Sequence, residues 1–377
     1  MHDIKRAQNV QTLCLACSLA TSSISPTHQN MTRDMIRAVI DEITGGPITK
    51  VLLIGGHLSI YDVINYKLMV YDVEKNEWSV PKNRLPDAGA GGCYWMSVVD
   101  RDSIFAMVGY RGAILNASAL LSPDAVSSGS LFDVGRDDAF LMSRAGSLVP
   151  MPDGSCIFTH VICSREDDAT KLRGKNGIGH YDHLTQKWSV VRKGRRTLTC
   201  EYSFCVAIDD THVMLVGGFD QAVWGTETDM CLIYNTRTHK FRVAESMHRA
   251  RGHLGGCLLW SGEIFVSGGI SGGIKTHGSE FPHHLNRRGP YQGECEIYSP
   301  TTRKWRLLDG LLMTRHKHTC TQISPIHILI AGGVVGRDSV AADNLVCEIY
   351  DLDTETSRVV ASLPFHVRDA TAMPLSL

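Results

Sequence analysis

Short apolar runs that stop at a glycine pair set the rhythm of this chain. Val51-Leu52-Leu53-Ile54 ends at Gly55-Gly56, Val213–Val216 at Gly217-Gly218, Ile264–Ser267 at Gly268-Gly269, and Ile328–Ala331 at Gly332-Gly333. Apolar runs this short, closed by turn residues, have strand length and not helix length. Two weaker copies lie between the first and second of these. Ile104 to Gly109 keeps one glycine, and Cys156 to Val161 has lost both. Downstream of the runs comes a pair of rings seven positions apart: Tyr71 and Trp78, Tyr181 and Trp188, Tyr234 and Phe241, Tyr298 and Trp305. Tyr350 and Ser357 keep the spacing without the second ring. A constant spacing across two strands and a tight turn is the mark of a repeated hairpin. Polar turn segments such as Asp72–Asn76, Ser299–Thr302 and Asp351–Thr354 separate the rings. A further strand and turn precede each glycine pair, at Asp209-Asp210, Ser261-Gly262 and Ser324-Pro325 among others. The pattern predicts six units of four strands, repeating every ~50 to 60 residues, a period that belongs to closed or stacked arrays.

Before the first unit the pattern changes. Met35, Ile36, Val39, Ile40 and Ile43 make one apolar stripe at helical spacing. Thr32 caps its start and Gly45-Gly46 stop it. The chain therefore divides into a tail over 1–30, disordered or weakly signal-like, an amphipathic helix and linker over 31–47, and the repeat array over 48–377. A lone helix of that length needs a surface to pack on: the body of the array, another copy, or a partner, in which case it docks the chain on a larger complex.

The Gly-Gly, Tyr and Trp in this order resemble the kelch repeat, and the resemblance runs from Ile48 to the C-terminus. It implies an all-β fold, a six-bladed β-propeller with a short N-terminal helical extension. The first unit lacks an inner strand of its own. Arg368–Pro374 resembles Arg315–Cys320, so the C-terminal strand is expected to complete the first blade and remove its open edge.

Composition narrows the function only by exclusion. The formal net charge is -1, which leaves no global pull toward nucleic acid or an anionic membrane. No stretch has the apolar length of a membrane-spanning helix. The 12 cysteines fall mostly singly inside expected strands, where a thiol acts as a small hydrophobe. That suits reduced thiols and the cytoplasm. No phosphate-cradling glycine loop, Gly-x-Ser-x-Gly or His-Glu-x-x-His is found, so no catalytic residue, metal or cofactor is assigned. Cys14 and Cys17 lack the second ligand pair that zinc needs. His277, His283 and His284, with Arg287 and Arg288, lie in a long insertion between Ile270 and Glu294, of a length that is functional or disordered.

One recurrent feature carries chemistry. Basic residues stand just before the inner strand of several units: Arg144, Arg195 and Arg196, Arg249 and Arg251, Arg315 with Lys317, and Arg368. In a propeller these positions recur around one mouth of the channel, where guanidinium groups attract carboxylates or phosphate. Arg144, Arg196, Arg251, His253, Arg315, His318 and Arg368 are the expected ligand-binding set. A structural role for the same arginines stands beside that expectation. The resemblance implies a protein-interaction module that binds a protein or acidic peptide, as a substrate receptor or scaffold. Two alternatives remain open: a mutarotase- or epimerase-like enzyme acting on an acidic sugar, and a structural subunit of a large complex. Fold alone does not choose among them.

Overall fold

A computed structural model describes residues 47–58, 63–85, 94–98, 103–108, 111–121, 132–133, 140–142, 146–163, 176–182, 185, 187–192, 201–220, 226–271, 293–336 and 341–376. The chain is an all-β propeller. Five antiparallel sheets have the four strands the repeat predicts. In the fifth sheet along the chain the strands run Gly255–Leu258, Ile264–Ser267, Cys295–Ser299 and Lys304–Leu308, in that spatial order. The sixth repeats this with Thr319–Gln322, His327–Ala331, Cys347–Asp351 and Thr356–Val360. The register is the same in both: Ile264 faces Tyr298, which faces Trp305, and Ile328 faces Tyr350, which faces Ser357.

The first sheet is built from both ends of the array. Thr371–Leu375 pairs antiparallel with Lys50–Ile54, so the C-terminal strand is its inner strand. The inner strands touch in a cycle: Thr371–Leu375, Tyr94–Val98, Leu148–Pro150, Phe204–Ala207, Gly255–Leu258, Thr319–Gln322 and back to Thr371–Leu375. The ring is closed, but the register differs by one residue from the sequence alignment. Thr371 faces Ile54 as Thr319 faces Ala331, so the counterpart of Arg315 is Val367, and Arg368 matches His316.

The expectation of six blades is corrected: among the described residues five sheets have the four strands of a blade. The five described strands between Phe140 and Arg192 form a sheet of another build. Its central strand, Cys156–Cys163, is eight residues long and slips register between Phe158 and Val161. One side pairs with Asn176–Asp182, and the other with two short strands, Leu148–Pro150 and Phe140–Met142. The cause lies in the lost glycines. In the first, fourth, fifth and sixth sheets the second strand stops at a Gly-Gly held at positive φ, where the chain leaves the sheet. Without those glycines the strand runs on to Cys163 and recruits an extra partner. The second sheet, from Tyr94 to Asp133, keeps four strands despite its degenerate sequence. The expected helix and tail over 1–46 lie outside the described residues, whose helical parts are only Ala117–Leu121 and the 3-10 turn Ala341–Leu345.

Adjacent sheets bury apolar clusters between them. Val51, Leu53, Met69 and Tyr71 of the first sheet meet Leu329, Cys347, Ile349 and Val360 of the sixth. The motif rings sit inside these clusters: Tyr71 and Trp78 lie 5.1 Å apart, Tyr298 and Trp305 5.2 Å. Each Trp also reaches the preceding sheet, Trp78 Nε1 donating to Ala361 O and Trp305 Nε1 to Glu245 O, both at 2.9 Å. The motif aromatics thus fill the interface and satisfy their own polar atoms there. Cys156, Cys205, Cys231, Cys257, Cys295, Cys320 and Cys347 are free thiols.

Candidate functional site at the channel mouth

Four of the inner strands are entered through a short loop of one plan. Two residues before the strand stand Tyr202, His253, Lys317 and Asp369, with φ of 55, 54, 59 and 53 degrees. Left-handed backbone costs a non-glycine residue about 1–2 kcal/mol, and here four successive sheets carry that cost at one equivalent place. The loops are tied to one another through the main chain. His253 N donates to Tyr202 O at 3.1 Å, Lys317 N to His253 O at 2.8 Å, and Asp369 N to Lys317 O at 3.0 Å. A second tie runs from the glycine pairs: Gly218 N to Arg251 O, Gly269 N to Arg315 O and Gly333 N to Val367 O, each 2.8 Å. These carbonyls explain the glycine. A Cβ on Gly268 would stand 2.3 Å from Arg315 O, and one on Gly217 2.5 Å from Arg251 O.

This repeated loop, glycine pair and Tyr–Trp hairpin form one structural unit, and residues 202–248 match the kelch motif family. That match and the propeller together support a kelch-repeat β-propeller family. No curated protein is similar enough to count as a relative.

In this kelch ring the expected basic set separates into two layers. Arg251 and Arg315 are fully buried beneath the mouth. Arg251 Nη2 pairs with Glu296 Oε1 at 2.7 Å, and its Nη1 donates to Gly268 O and Glu294 O. Arg315 Nη2 pairs with Glu348 Oε1 at 2.7 Å, and its Nη1 donates to Gly332 O and Val346 O. Their charge is spent inside their own sheets, which corrects their placement in a ligand-binding mouth. His318 is buried too, its Nε2 2.9 Å from Ser267 Oγ and its ring against Gly255 and Gly268. Burial, followed by the nearby Arg315 and His316, keeps its imidazole well below the usual range and so neutral. Arg144, Arg196 and the 272–292 insertion lie outside the described residues.

Of the remaining expected residues, His253 is half-buried and Arg368 buried, and both lie beside Lys317 and residues the sequence did not single out. The His253 ring lies 4.1 Å from Tyr202, 5.4 Å from Phe219 and 6.0 Å from His316. Lys317 Nζ is 5.8 Å from the Tyr202 ring centre, within cation–π reach. Asp369 Oδ2 gathers Arg368 Nη1 at 2.9 Å, Lys317 Nζ at 3.1 Å and His57 Nδ1 at 3.8 Å. Burial, then Lys317, His316 and Arg368, hold His253 well below its usual range. The patch is aromatic on one side and cationic on the other, with one carboxylate already engaged. Such a surface suits a ligand with an acidic group. Among the described residues no three His, Cys, Asp or Glu converge on a metal site.

Proposed function

We propose that this kelch propeller is a protein-interaction module that holds a partner, through an acidic peptide segment, at the mouth formed by Tyr202, His253, Lys317 and Asp369. One observation carries the reading: four side chains are retained at an equivalent left-handed position in four neighbouring sheets, where glycine is easier. Strain of this kind persists where the side chain is needed. Lys317 and Arg368 supply positive charge for a carboxylate, and the rings of Tyr202, Phe219 and His253 supply a platform for apolar neighbours in the same peptide. The free, buried thiols support a cytoplasmic setting, and no helix among the described residues is long and apolar enough to cross a membrane.

The test is binding of a fluorescein-labelled hexaglutamate peptide to the full chain, measured by anisotropy with and without Lys317→Glu. The variant should weaken binding at least tenfold while its melting temperature moves little. Equal affinity in the two proteins, or none in the wild type, would remove the reading.

A further inference from the structure

We propose that the mouth takes up a proton on His253 together with its acidic ligand, so that a carboxylate binds more tightly as pH falls. The inference rests on the acidic-peptide reading above and adds the group that reports the ligand's charge. The geometry supplies the argument. His253 sits on the loop that enters the fifth sheet, between Tyr202 and Phe219 of the fourth sheet and His316 of the sixth. Among the described residues neither of its ring nitrogens has a hydrogen-bond partner.

The charged and titratable groups that face it are Tyr202 from the fourth sheet, His316 and Lys317 from the sixth, and Arg368 from the closing segment. The charges of Lys317, His316 and Arg368 all disfavour a charged ring. Asp369, the nearby carboxylate, is held by Lys317, Arg368 and His57 and is not among the groups that favour the charged ring. With the mouth empty, burial and these cations disfavour imidazolium. A carboxylate seated between His253 and Lys317 reverses the local sign, because an opposite charge within about 4–6 Å favours the charged form. The balance is simple: neutral imidazole, one proton from solvent and one carboxylate give an imidazolium–carboxylate pair, with no bond broken. By linkage, uptake of one proton raises affinity up to about tenfold for each pH unit of acidification.

The same labelled hexaglutamate, titrated into the full chain from pH 8 to pH 5.5, keeps its carboxylates ionised through most of the range. Affinity should rise toward the acid end. Calorimetry at fixed pH in buffers of different ionisation enthalpy should show uptake of up to one proton per peptide bound. His253→Asn, chosen because Asn tolerates left-handed backbone, should bind with a flat pH profile and no buffer dependence. Binding with no proton uptake in the wild type would overturn this inference and leave the acidic-peptide site standing. An unchanged slope in His253→Asn would also overturn it. Absence of binding at every pH would remove both.

Discussion

The two buried Arg–Glu pairs offer a quantitative test, because the same protein shows what replaces them. Glu296 faces Val266, and Glu348 faces Ile330, two residues before the glycine pair of each sheet. In the first sheet the corresponding residue is Met69, facing Leu53, and the counterpart of the arginine is Val367. Met69 and Val367 belong to one apolar cluster. The ion pair and the apolar pair are therefore alternative fillings of one site. Arg251→Met alone leaves the fully buried Glu296 carboxylate without its guanidinium. Glu296→Leu alone leaves the guanidinium unpaired. Each single change should cost about 3–5 kcal/mol, as for breaking a buried pair from one side. The double variant should lose only about as much as one single, a coupling of roughly 3 kcal/mol. Recovery is incomplete because Glu296 also accepts from His248 N at 2.8 Å and Arg249 N at 3.3 Å, and orphaned buried donors cost about 1–3 kcal/mol each. Urea unfolding at pH 7, followed by tryptophan fluorescence, reads all four proteins. Additive losses in the double variant would refute the exchange of ionic for apolar filling.

Three further outcomes follow from the geometry. Gly268→Ala should destabilise by more than about 2 kcal/mol, because its Cβ meets Arg315 O at 2.3 Å on a positive-φ residue; Gly262→Ala, also at positive φ but with nothing within 4 Å, should cost only about 1 kcal/mol. Thermal melts of the two variants would show the difference, and equal losses would contradict it. Removing residues 368–377 deletes the strand that pairs with Lys50–Ile54 and the buried Met373 and Leu375, so the cooperative melt should vanish; a transition near the parental temperature would argue against ring closure. His180, whose Nε2 meets Tyr234 Oη at 2.6 Å, is pulled down to about 4, first by burial and then by His239. The unfolded chain takes a proton near pH 6.5 that the folded chain refuses until about pH 4, so stability falls on acidification through that window and is level above it. In His180→Phe, denaturant midpoints between pH 7.5 and 4.5 should fall less steeply than in the wild type.

The repeat was legible because its determinants are local. Glycine pairs end strands through backbone conformation, and rings seven apart face each other across one hairpin, so both survive as spacing. The lost glycines at Cys156–Val161 marked the irregular sheet, but nothing local said that the strand would run on and take a fifth partner. Ring closure was legible as likeness between Arg368–Pro374 and Arg315–Cys320; its register was not, because the arginine that anchors the alignment has become Val367. The mouth was read one layer too deep. Arginine drew attention as a charge, while burial against Glu296 and Glu348 depends on a strand about forty residues away. Tyr202, His253, Lys317 and Asp369 share no chemistry, so only their constant place two residues before each inner strand joins them, and that required knowing where the strands begin.

The strand exchange at the join has a consequence for biosynthesis. Leu52, Leu53 and Ile54 leave the ribosome more than 300 residues before Thr371–Leu375, which will cover that edge. At translation speeds of 5–20 residues per second the sticky edge waits roughly 15 to 60 seconds for its cover. Throughout that interval the nascent chain presents an unpaired template for other strands. The first sheet is thus the part of the ring most exposed to zipping onto another nascent chain during synthesis.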